Sequence, residues 1–205
     1  SSTVPIFATM KPPAWPGGAQ AALSLSWDDG RSSQVDHALP VLEEFGVRGT
    51  FYVLPSAIDQ RLDSWRRSSA AGHEIGNHTV RHPCAANHAW VHPENALENY
   101  TLARMEAEIL EANAALEERI GVRPQTFAYC CRETFVGRGA EVASYVPVVA
   151  RHFVVGRLAA SDGCNIPGRF DLAQTWSTTM DNQPAARMCA QVDAAVARGG
   201  WLIFN

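Results

Sequence analysis

The stretch AALSLSWDDG at 21–30, followed by a helical stripe and then RGTFYVL at 48–54, decides the fold. Ala21 to Trp27 alternates in part, as a short buried strand does, and it ends in Asp28-Asp29-Gly30. Val35, Leu39, Val41, Leu42 and Phe45 recur at helical spacing, Gly46 closes that run, and 48–54 is rich in residues that favour strands. Strand, helix, strand predicts a β/α architecture. In such folds chemistry collects where strands end, because the loops there vary while the sheet fixes their roots. The acidic pair stands at such an end.

Working outward, a helix is predicted over 62–71, then a short strand over 73–76, inside the stretch GHEIGNHTVRHP at 72–83. His78 and His82 are four residues apart, so a helical backbone stacks the two imidazoles over one divalent ion. Taken alone, the pair also fits two solvated histidines at a strand end. A carboxylate from Asp28-Asp29 on the same rim completes a two-histidine, one-carboxylate face with open positions for water and substrate. The second aspartate then stands beside the ion as a proton acceptor, whereas without the histidines the pair reads as a turn or helix cap. A second i, i+4 pair, His88 and His92, follows no strand and has Pro93 behind it, so its loop reads as a binding loop.

The clearest helix is 97–120, with Leu102, Met105, Ile109, Leu116 and Ile120 on one stripe and Gly121 as its stop. Beyond it the periodicity predicts a strand over 126–131, a helix over 140–150 broken near Pro147, and a strand over 152–155. A strand over 172–178, a helix over 185–197 with Met188, Val192 and Val196 inward, and a terminal strand WLIFN follow. Residues 1–20, with Pro5, Pro12, Pro13, Pro16, Gly17 and Gly18, read as an N-terminal arm before one domain over 21–205.

SWDDG at 26–30 followed by GHEIGNHTVRHP at 72–83 resembles the polysaccharide deacetylase family, carbohydrate esterase family four. The resemblance implies a distorted (β/α) barrel and a metal-dependent hydrolase that removes acetyl groups from a carbohydrate. It makes Asp28 the general base and Asp29, His78 and His82 the ligands of a divalent ion, zinc above others. It also favours a secreted or cell-envelope setting. Two departures bear on this. Many members carry an Arg-Pro-Pro-Tyr-Gly-like segment whose Arg orients the catalytic aspartate. Here the segment reads Phe127-Ala128-Tyr129-Cys130-Cys131-Arg132, leaving Arg123 or Arg132 as stand-ins that do not align, with Arg132 in the place of a glycine. The family's late strand leads into a histidine acting as general acid, whereas the 205 residues stop after WLIFN. His152 reads as a helix-to-strand junction residue. If the polypeptide ends there, the expectation is an incomplete barrel with an exposed apolar edge, possible self-association, and weak N-deacetylation for want of a proton donor.

Three further residues are candidates for touching substrate: Tyr129, which reads more readily as a buried strand tyrosine; Trp90, equally as a stacking platform or as loop packing; and Arg132. Five cysteines leave at least one unpaired if pairing is internal, and a disulfide from Cys84 to Cys131 tethering two rim loops is preferred to a thiol beside the metal. The formal charge of −4, with 17 basic and 21 acidic residues and no basic cluster, argues against nucleic acid as partner. No apolar run approaches the roughly 20 residues that span a bilayer, which argues against membrane insertion. Rival readings are a non-haem Fe(II) oxygenase, which the β/α alternation disfavours, and a deacetylase-like carbohydrate-binding protein without turnover.

Overall fold

A computed structural model describes residues 15–160 and 163–205, so the first fourteen residues of the predicted arm lie outside the described residues. Seven parallel strands close a barrel: β1 (Ala22–Trp27), β2 (Thr50–Val53), β3 (Glu74–Asn77), β4 (Thr126–Ala128), β7 (Val155–Ala160), β8 (Thr175–Thr178) and β9 (Trp201–Phe204). A two-stranded hairpin, β5 (Phe135–Val136) and β6 (Ala143–Ser144), stands apart. The α/β barrel expected from the sequence is present. Its expected open edge is not, because β9 runs beside β1 with Ala22 opposite Trp201 through Leu25 opposite Phe204, and those backbone groups are therefore paired.

Helices α1 (Leu39–Glu44), α2 (Pro55–Ile58), α3 (Leu62–Ala70), α4 (Leu102–Ile120), α5 (Val146–His152) and α6 (Ala185–Arg198) clothe the barrel. Alternation along each strand decides what they cover. Phe51, Val53 and Ile75 face outward into a core with Leu39, Leu42, Trp65 and Leu116, while Phe127 and Tyr129 face a second core with Met105, Ile109, Val149 and Phe153. Leu202 and Phe204 pack on Ala195, with Met188 and Val192 against them. On α4, Thr101 caps the N-terminus by accepting from the Arg104 amide, and Gly121 at φ 84° ends it as a left-handed C-cap.

Several boundaries differ from the sequence reading. A π-helical turn at Gln34–Ala38 precedes α1, so Val35, Leu39 and Leu42 reach the core while Val41 and Phe45 lie exposed. Residues 140–150 do not form one broken helix. They split into β6 and α5, with Pro147 in the first turn of α5, where its missing N–H has no partner to lose. The strand expected at 152–155 begins at Val155, because His152 is still helical and its ring bonds to Glu106 of α4 at 2.7 Å.

The barrel interior is polar and tightly fitted. Glu74 accepts from Thr50 Oγ1 (2.8 Å) and Thr126 Oγ1 (3.0 Å), and Tyr52 lies against the backbone of Gly76. A Cβ on Gly76 would stand 2.5 Å from a Tyr52 ring carbon and 2.9 Å from Thr126 Oγ1. Gly76→Ala is expected to lower stability by about 1–3 kcal/mol through overpacking. Urea unfolding checks this, and an unchanged midpoint would show that the Tyr52 ring yields freely.

Candidate active site

The ends of β1 and β3 bring the two motifs together. Beyond Trp27 the chain turns sharply, with Asp29 at φ 75° and Gly30 at φ 70°, a backbone that aspartate tolerates better than most residues. Gln34 donates to the Asp28 carbonyl and fixes that turn. Beyond Asn77 the chain is a turn rather than the helix that the i, i+4 spacing suggested. The Thr79 amide donates to Asn77 Oδ1 (2.7 Å), the His82 amide donates to Thr79 Oγ1 (3.0 Å), and Thr79 and His82 both take positive φ. Asn77 is fully buried and also donates to the carbonyl of Ile109 and to Asn113, so α4 anchors the turn. This leaves the two imidazoles edge to face, with centroids 4.9 Å apart.

Asp29 Oδ1 lies 3.5 Å from His78 Nε2 and 3.6 Å from His82 Nε2, while its Oδ2 accepts from Arg31 at 2.7 and 3.1 Å. Ligand atoms about 2.0–2.1 Å from a tetrahedral ion are about 3.4 Å from one another, so this carboxylate and these rings fit a divalent ion with little adjustment. The tautomer also fits. His78 Nδ1 stands 2.9 Å from the Ala128 carbonyl, and donating there leaves Nε2 free to bind.

The electrostatics favour a positive charge at that point. Burial disfavours the His78 imidazolium, yet Cys130, Asp28 and Asp29 around it push its pKa well above the ordinary value. The hydrogen bond to His78, followed against burial by that to Arg31, holds the Asp29 carboxyl far below its usual range. A bound divalent ion would meet the same demand. Behind the rings lies Cys130, a buried free thiol 3.8 Å from His78 Nδ1. Burial raises its pKa, but the two histidines bring it down to about 6.

Asp28 is held by a residue that the sequence reading missed. Arg157, on β7 and 1% exposed, donates to Asp28 Oδ1 and to Ser177 Oγ (3.2 Å), and its guanidinium lies 5.0 Å from the Tyr52 ring centre. Burial alone would raise the Asp28 carboxyl, but Arg157, with His78 beside it, holds it below the ordinary value. The signal was present in VVGRLAA at 154–160, where a lone arginine interrupts an apolar strand. Ending the expected strand at Val155, two residues short of Arg157, hid it.

The other expected contacts divide. Trp90 is 60% exposed, with its ring 5.8 Å from that of His82 and 5.5 Å from that of His88, so it stands at the rim of the site. Tyr129 does not face the site. It is 2% exposed, packs between Phe127 and Tyr145, and donates to the Ala173 carbonyl at 2.7 Å, because strand alternation turns it outward into the core. Arg132 donates to Thr179 Oγ1 and lines a neighbouring cavity rather than the cleft of about 410 Å³ formed by Asp28, Asp29, Arg31, His78, His82, Cys131, Asp181 and Asn205. Neither Arg132 nor Arg123, which reaches Glu117, substitutes for the orienting arginine. Arg132 does adopt φ 66°, the glycine-like backbone of the position it fills. Cys84 and Cys131 form the expected disulfide, and Cys130, Cys164 and Cys189 are free. His88 turns to Glu133 and His92 to Glu94, so that pair does not converge.

Residues 17–134, more than half of the 205, match the polysaccharide deacetylase family, and the chain belongs to that family. The peptidoglycan N-acetylglucosamine deacetylase PgdA of Listeria monocytogenes is 30% identical over 105 residues, 51% of this chain and 20% of that protein. A structure from Mycobacterium smegmatis assigned to the same family superposes with a TM-score of 0.65 at 18% identity, covering 96% of this chain and 80% of that one. A family-four pseudoenzyme from Bacillus anthracis superposes with a TM-score of 0.56 at 13% identity, covering 89% and 54%. These two structures share the fold. The chain spans only a part of its curated relatives, 6% of one and 28% of another. Among the described residues no helix is long and apolar enough to cross a membrane.

Proposed function

We propose that residues 21–205 form the catalytic domain of a metal-dependent hydrolase that removes acetyl groups from a carbohydrate, with N-acetylated amino-sugar polymers of the cell envelope as the first class to test. The observation that carries this is Asp29 Oδ1 within 3.6 Å of both His78 Nε2 and His82 Nε2, with Asp28 beside it on a buried arginine. Asp29, His78 and His82 would hold the ion, zinc by the nature of the donors. When bound, the ion supplies Lewis acidity toward the acyl carbonyl and makes a water acidic enough to lose a proton near neutral pH. The chain's own groups do the rest. Arg157 occupies Asp28 Oδ1 and leaves Oδ2 to take the proton from the attacking water. Arg31 keeps the other Asp29 oxygen turned away from the reacting centre. Trp90 offers an exposed ring for a sugar face.

Acetate release from acetylated chitin, peptidoglycan and xylan fragments, with and without chelator, tests the proposal. Release that chelator abolishes and zinc restores is expected. Sugar binding with no acetate from any fragment under any divalent ion would instead favour a binding protein, the reading that a pseudoenzyme among similar folds keeps in view.

A further inference from the structure

The barrel wall is thin where β3 meets β4, as it also is where β8 meets β9. β2 and β3 share four register pairs, Thr50 opposite Glu74 through Val53 opposite Asn77, but β3 and β4 share one, Asn77 opposite Phe127. Beyond that pair the two strand ends are joined by the His78 contact with the Ala128 carbonyl and by the Cys84–Cys131 disulfide. Cys84 stands two residues after His82, and its Sγ lies 3.5 Å from His82 Nδ1, the nitrogen on the far side of the ring from Asp29. The ligand atoms of His82, Cys84 and Cys131 all lie within 4.8 Å of one another.

We propose that reduction of this disulfide uncovers a second metal site, in which the Cys84 and Cys131 thiolates and His82 Nδ1 bind a soft divalent ion of the zinc class. The sulfur atoms of a disulfide are poor ligands, so the oxidised protein does not offer the site. A dithiol reductant delivers two electrons and two protons, the S–S bond breaks, two thiols form and the reductant becomes a disulfide. Binding the ion then releases both thiol protons and, where His82 Nε2 already holds the first ion, the Nδ1 proton of that ring as well. The geometry suits the product. Zinc ligands at about 2.0 Å for nitrogen and 2.3 Å for sulfur are about 3.5 Å apart in a tetrahedron, close to the present 3.5 Å from Cys84 to His82. The 5.8 Å between the two Cα atoms lets the sulfurs separate to a similar distance by side-chain rotation. Cys131 Sγ also lies within 4.8 Å of ligand atoms of His88 and Glu133, which places protein donors at hand for a fourth position. Cys131 lines the cleft, so reductant and ion can reach it from solvent.

The site shares the His82 ring with the hydrolase reading but does not depend on that reading. Cobalt(II) titration of the oxidised protein, and of protein reduced with a phosphine and desalted under argon, tests it. The reduced protein is expected to take up one more ion than the oxidised protein and to gain the intense near-ultraviolet absorption of thiolate-to-cobalt charge transfer. The double variant C84S/C131S should show neither change. Asp29→Ala should lose the ion bound in the oxidised state yet keep the thiolate absorption on reduction, which separates this site from the proposed catalytic one. The proposal is overturned if reduced wild type shows no thiolate absorption or unfolds, if the absorption persists in C84S/C131S and so comes from the free thiols of Cys130, Cys164 or Cys189, or if Asp29→Ala abolishes it.

Discussion

Replacing Arg157 with methionine is expected to cut acetate release at least about a hundredfold and to lower stability by about 3 kcal/mol. The guanidinium is 1% exposed in the middle of the barrel, joins β7 to the end of β1 through Asp28, and reaches β8 through Ser177. Methionine fills most of its volume, so packing against Tyr52 survives. Asp28, with a quarter of its side chain exposed, is left without its partner. Breaking a buried pair from one side costs about 3–5 kcal/mol, and the partial exposure of Asp28 places this case at the lower end. Activity falls for a second reason: without Arg157 to occupy Oδ1, the carboxyl rotates and ceases to hold one oxygen toward the cleft. Arg157→Lys should recover part of the stability and less of the activity, because an ammonium carries the charge but cannot bond Asp28 and Ser177 as a planar fork does. Urea unfolding and acetate release, measured on both variants, give the two readouts. Wild-type turnover in the methionine variant would remove Arg157 from any positioning role.

The same arginine marks where the sequence could and could not be read. The ends of β1 and β3 were legible because each has a clear signal, an apolar run broken by Asp28-Asp29-Gly30 in one and a short strand running into His78 in the other. Helix α4 was legible from its stripe and its Gly121 cap, although the stripe alone extended it back to Leu97, where the chain makes a 3-10 turn before Thr101 caps the helix proper. What failed were segments with little periodicity of their own. Residues 140–150 hold a two-residue strand and a seven-residue helix, each too short to repeat its pattern. The approach of His82 to His78 comes from Asn77 and Thr79 bonding to backbone amides, and side-chain bonds of that kind leave no mark in hydrophobic spacing. Arg157 lies 129 residues from Asp28, and only closure of the barrel brings the two together.

Exchanging the two neighbouring aspartates for asparagine one at a time should separate the base from the ligand. Asp28→Asn keeps an oxygen that can accept from Arg157 and nearly the same shape, so the barrel and the ion should be retained. It cannot take a proton, and acetate release is expected to fall by about 10²–10⁴. Asp29→Asn acts on binding first. Oδ1 is the atom 3.5 and 3.6 Å from the two histidine nitrogens, and the amide oxygen that replaces it carries no charge to offset that of the ion. The Arg31 contact loses its charge partner as well. This variant should therefore release zinc to a chelator at concentrations that leave wild type loaded, and its turnover should recover in part when zinc is supplied in excess. Metal content after chelator challenge, read beside acetate release, distinguishes the two residues. Loss of zinc from Asp28→Asn, or full zinc retention in Asp29→Asn, would reverse the roles assigned here, since Asp28 is at present turned to a guanidinium and Asp29 to the paired rings.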